Sequence, residues 1–132
     1  MRYKYGFRIL DYDPEKKQFK TLFHGINGTR ILPINKFVKA KKKRVSDGKS
    51  TTYISGFHVF PNVKFCLKYS KRFGKRTQRA ICVVRYTGNR TKEHSNSGVI
   101  LADRMCLPRC TYIGTLEDFD KDPQFNLKNN ET

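Results

Sequence analysis

Arg79-Ala80-Ile81-Cys82-Val83-Val84-Arg85-Tyr86 is the clearest strand signal in the chain. Its apolar residues fall on both parities. A strand of that kind is covered on both faces, so the segment predicts a central position in a sheet. Thr87-Gly88-Asn89 then turns the chain outward.

Working upstream, Val63, Cys66, Leu67 and Ser70 follow helical spacing, with Asn62 as N-cap and Gly74 as terminator. Thr51 to Phe60 reads as one strand, stopped by Pro61. Lys39 to Lys49 reads as an exposed basic loop. Arg30 to Val38 is ambiguous, because Ile31, Leu32, Ile34, Phe37 and Val38 must pack while Pro33 opposes a central strand. Residues 2–10 place Tyr3, Tyr5, Phe7 and Ile9 on one parity, which predicts a half-buried strand with Arg2, Lys4 and Arg8 on its other face. A turn at Asp13-Pro14 leads to a second strand over residues 18–23.

Downstream, Val99 to Ala102 and Met105 to Leu107 read as short strands around Asp103-Arg104, and Cys110 to Ile113 as an edge strand. The expected fold class is α+β: a small mixed or antiparallel sheet with one main helix over about residues 62–73. Residues 1–114 form a single basic domain in this reading, and residues 115–132 an acidic, flexible tail.

The formal net charge is +17, from 28 Lys and Arg against 11 Asp and Glu. Between Lys16 and Arg109 there are 23 basic residues and only Asp47, Glu93 and Asp103 as acids, a net of +20. Such a field destabilises a compact chain by self-repulsion, and a polyanion relieves it. Nucleic acid is therefore the expected partner, with a host protein as the second candidate. No apolar run reaches the roughly 18 residues of a membrane helix. Charges interrupt the start of the chain, so it does not read as a signal peptide. The expectation is an intracellular protein with reduced thiols at Cys66, Cys82, Cys106 and Cys110.

Two basic clusters are the candidate phosphate contacts. One is the loop Lys41, Lys42, Lys43 and Arg44. The other is the helix and its continuation: Lys64, Lys68, Lys71, Arg72, Lys75, Arg76 and Arg79. Flexible cations neutralise phosphates and release counterions without reading sequence. Phe73, among the cations, either stacks on a base or caps the core. His24 and His58 are candidates for a cleft. Glu93-His94-Ser95 reads as a surface loop rather than a triad, because triads normally converge from distant segments. The Cys106–Cys110 spacing is no strong zinc pair, and no phosphate-binding glycine loop occurs. No catalytic residue, cofactor or metal is assigned.

Ser55-Gly56-Phe57-His58-Val59-Phe60, the following helix, the strand through Arg85 and the segment Val99 to Met105 together resemble a group of small proteins common in bacteriophage and prophage genomes. The resemblance covers most of residues 2–107 and implies a phage origin with a host-directed role. A weaker one is to the ADP-ribosyltransferase fold. Phe23-His24-Gly25 is similar to that family's His-Gly strand end, which holds the nicotinamide dinucleotide. Gly56 to Phe60 is similar to its second motif, and Val99 to Asp103 to its last strand. The family's catalytic glutamate would fall where this chain has Ser97 and Gly98, with Glu93 out of register. What this resemblance implies is a nucleotide cleft, with transferase activity in doubt.

Overall fold

The protein is described from a computed structural model, over residues 2–22, 31–40, 44–46, 52–54, 56–88, 90–91 and 98–124. The elements in chain order are β1 (Lys4–Asp13), β2 (Gln18–Lys20), β3 (Ile31–Leu32), β4 (Phe37–Lys39), β5 (Arg44–Ser46), β6 (Thr52–Ile54), β7 (Phe57–Val59), α1 (Val63–Ser70), β8 (Arg79–Thr87), β9 (Arg90–Thr91), β10 (Ile100–Ala102), β11 (Arg104–Cys106), β12 (Tyr112–Thr115) and α2 (Leu116–Lys121). The class is α+β and strand-rich. The strands pair antiparallel throughout.

The central place expected for the Arg79–Tyr86 segment is observed. One edge of β8 pairs with β1 from Arg79↔Asp11 to Tyr86↔Lys4. The other edge is shared by β12 at Ala80–Cys82 and β11 at Arg85–Thr87. Between them Thr111 closes the gap. Its carbonyl accepts from Val83 N at 2.8 Å, and its hydroxyl donates to Val83 O at 2.7 Å. Residues 104–115 thus follow one edge of β8, with an excursion at Leu107–Cys110.

The pairings close on themselves. β8 pairs β1; Phe7 of β1 exchanges two hydrogen bonds with Phe60 (2.8 and 2.7 Å); β7, just before Phe60, pairs β10; and β10 runs past Asp103 into β11, which returns to β8. Where β7 leans over β1, a Cβ on Gly6 would overlap the Val59 methyl and lie 3.1 Å from the Phe60 carbonyl, so that position needs glycine. Inside the ring lies a first core of Leu10, Val59, Val84, Met105 and their neighbours. A second core lies on the outer face, where Ile9 and Ile81 meet Cys66 and Leu67 of α1 and Leu116 of α2.

This arrangement corrects the expected sidedness of β1. The even positions, Gly6 and Leu10 among them, face the interior, and Arg8 shares their side. The odd face is covered by helices only at Phe7 and Ile9, leaving Tyr3 and Tyr5 exposed. An eight-residue helix is about 12 Å long and cannot roof a ten-residue strand.

Asn62 caps α1 as expected, accepting from Phe65 N at 3.0 Å. The helix ends at Ser70, short of the predicted boundary. Ser70 is buried, its hydroxyl donates to Leu67 O at 2.7 Å, and its carbonyl is taken by Arg76. The single strand expected over residues 51–60 is two strands, broken at Gly56, and Arg44–Ser46 is a strand paired with the first of them.

The expected boundary at residue 114 falls inside β12, and the first part of the predicted tail is helix α2. Thr115 and Asp118 form a capping box. Leu116 is fully buried and Asp120 pairs with Arg76, so these residues dock rather than fray.

Candidate nucleic-acid interface

On α1 and the turn after it, Lys64, Lys68, Lys71, Arg72 and Lys75 are all exposed. The amphipathic pattern that buries Cys66, Leu67 and Ser70 turns the cations outward. No acid stands in the first turn of this helix. Lys64 sits there against the positive end of the helix dipole, a placement that costs a few tenths of a kcal/mol. The cation is not there to stabilise the helix. Arg72 lies over the Tyr69 ring, 4.0 Å from its centre.

Arg76 and Arg79 have structural partners. Arg76 forms a two-pronged pair with Asp120 (2.5 and 2.8 Å) and donates to Ser70 O at 2.8 Å and Phe73 O at 3.3 Å. It therefore ties α2 to the end of α1. Arg79 faces Asp11 at 3.5 Å and lies over the Phe73 ring. Phe73 itself packs on the second core. Lys41, Lys42, Lys43 and His24 lie outside the described residues, and Arg44 opens β5. His58 is on β7, where its carbonyl accepts from Arg8 at 3.2 Å. Phe57, His58 and Val59 lie opposite Ala102, Leu101 and Ile100.

A second basic surface went unseen in the sequence. Tyr5, Arg85, Cys106 and Phe37 are successive register partners across β1, β8, β11 and β4, so they form one lateral row on the outer sheet face. In the next row Thr87, Arg104 and Lys39 are partners, with Tyr3 two residues along β1 from Tyr5. Tyr5 is 57% exposed and Tyr3 42%. Their rings meet edge to face at 5.5 Å, and Phe37 lies 6.1 Å from Tyr3.

The Arg85 guanidinium approaches both tyrosine rings, at 5.2 and 5.8 Å. Its Nε is buried and finds no hydrogen-bond partner among the described residues. Hydrogen bonding to the Tyr5 hydroxyl raises the Arg85 pKa further, and hydrogen bonding to Tyr5 also raises that of Tyr3. Arg85, Arg104 and Lys39 form no ion pair among the described residues. The signal that could have found this face was tyrosine rather than Phe or Ile at positions 3 and 5, since a phenol keeps one end in water.

Cys66, Cys82 and Cys106 are buried, and burial raises the pKa of all three, with Cys82 pushed up to about 12. Among the described residues no group of three His, Cys, Asp or Glu side chains could hold a metal ion, and no helix is long and apolar enough to cross a membrane. Comparisons of the chain with protein-family models, curated proteins and solved structures find no match.

Proposed function

We propose that this protein binds nucleic acid, chiefly through its phosphates. The observation that carries the reading is the exposed row Lys64, Lys68, Lys71, Arg72 and Lys75 in a chain of net charge +17. These cations lie on the outside of the helix and the turn after it, and Lys64, in the first turn, stands there against the helix dipole. Contacts of this kind give affinity with weak sequence preference. Arg76 and Arg79 support the surface by holding the α1–β8 turn in place, and the charges of Lys41, Lys42, Lys43 and Arg44 add to the field.

The test is binding of a labelled DNA duplex and of heparin at rising salt. For about five neutralised phosphates, log K should fall against log salt with a slope of about −4 to −5. The Lys64→Ala/Lys68→Ala/Lys71→Ala variant should flatten that slope by about 2 to 3. A salt-independent interaction, or none at low salt, overturns the reading. The competing partner is an acidic protein surface, such as a phage-encoded inhibitor would meet in its host. A partner from host lysate that survives nuclease treatment would favour it.

A further inference from the structure

We infer that the open half of the outer sheet face is a base-stacking platform for single-stranded nucleic acid, with Tyr3, Tyr5 and Phe37 as the rings and Arg85, Arg104 and Lys39 as the cations. The inference deepens the nucleic-acid reading and rests on it.

Tyr3, Tyr5 and Phe37 belong to neither core. Two of them are large, exposed rings on a strand otherwise well packed from Gly6 to Leu10. Burial does not explain them. Their register does: Tyr5, Arg85, Cys106 and Phe37 occupy adjacent positions on four neighbouring antiparallel strands, about 15 Å across at the usual strand spacing, with Tyr3 beside Tyr5 and Phe37. The rings are held before any ligand arrives, Tyr3 by Tyr5 and Phe37, and both tyrosines by Arg85. Rings already held in place lose little rotamer entropy on binding.

The charge selects the occupant. No carboxylate stands in either row, while Arg85, Arg104 and Lys39 are all cationic and without acid partners among the described residues. Flat rings set among cations fit unstacked bases whose phosphates reach the flanking Lys and Arg, and stacking tolerates any base. A duplex offers the rings nothing, because its bases are already stacked. The same outer face continues under α1, since Tyr5, Phe7 and Ile9 share one parity and Ile9 is in the core beneath the helix. A strand leaving the platform in that direction meets the exposed lysines of α1.

The experiment compares the intact chain with Tyr3→Ala/Tyr5→Ala and with Tyr3→Phe/Tyr5→Phe. The probes are labelled oligothymidylate of about 12 nucleotides, DNA duplex and heparin. The double alanine variant should bind oligothymidylate at least tenfold more weakly and should bind duplex and heparin as before. The phenylalanine variant keeps the rings and should retain oligothymidylate affinity. With no Trp in the chain, quenching of tyrosine fluorescence by oligothymidylate should accompany binding and be lost in both variants. Unchanged oligothymidylate affinity in the alanine variant, with duplex and heparin still bound, overturns the platform and leaves the phosphate-binding function standing. No salt-sensitive binding to any of the three probes overturns both.

Discussion

Arg8 brings a positive charge to the inner side of a sheet and meets no carboxylate there among the described residues. It donates to the His58 carbonyl at 3.2 Å and lies 5.5 Å from the centre of the Phe57 ring, and its Nε has no partner among the described residues. Desolvation lowers its pKa to about 10. A base lowered in the folded state holds fewer protons there than when unfolded, so it opposes folding below about pH 10 and ceases to do so as pH rises beyond that toward the ordinary arginine range. Arg8→Met should therefore leave stability unchanged or raise it by about 1–2 kcal/mol in urea unfolding at neutral pH; a loss above about 1 kcal/mol would show that the guanidinium contacts outweigh desolvation. Gly6 is the opposite case. Gly6→Ala forces a methyl against Val59 and the Phe60 carbonyl and should cost about 1–3 kcal/mol by the same measurement. Among the four cysteines only Cys110 is exposed, so a thiol reagent at pH 8 should label one site rapidly and the other three only on unfolding. Strand alternation in β1 was legible from Tyr3, Tyr5, Phe7 and Ile9. Which parity faced inward was not, because Gly6 and Arg8 look like surface residues until the ring closes over them.

At the scale of elements, α2 shows how a segment of tail composition becomes structure. Thr115 accepts from Asp118 N at 3.1 Å and Asp118 accepts from Thr115 N at 3.0 Å. That backbone hydrogen bond is the main reason Asp118 lies below its ordinary carboxylate pKa. A depressed acid stabilises the fold above its unfolded value, near 3.9, and loses that contribution as pH falls through the lowered value. Thr115→Ala should cost about 1 kcal/mol at neutral pH. Asp118→Asn should remove the matching part of the acid sensitivity of unfolding, and an unchanged acid profile would mean the cap is not the titrating element. The acids Glu117, Asp118 and Asp120 are each engaged, with Lys121, Thr115 and Arg76. The capping pattern Thr115-Leu116-Glu117-Asp118 was present in the sequence; the burial of Leu116, which makes the helix dock, was not. For α1 the reverse holds, since Asn62 and the Cys66, Leu67 and Ser70 spacing announced it, while at its early end the Ser70 carbonyl accepts from Phe73 N and from Arg76, which the helical spacing did not show.

For the whole molecule, a net +17 on 132 residues means that ordinary solution conditions hold the chain under self-repulsion. Added salt should raise Tm through screening, and heparin should raise it more at equal ionic strength through binding to the folded state. A thermal scan with no response to either would show that the charges are too dispersed to act together. The charge imbalance, the strand class, the central strand Arg79–Tyr86 and the capped helix after Asn62 were fixed by local composition and periodicity, which depend only on neighbours along the chain. Tertiary structure alone decided that β1, Phe60, β7, β10, β11 and β8 close into a ring, that Arg76 and Arg79 are used within the fold, and that Tyr5, Arg85, Cys106 and Phe37 share one row. The ring and the row depend on strand register between distant segments, and a shift of one residue would turn every side chain of that row to the opposite face; the Arg76–Asp120 pair depends on where α2 docks.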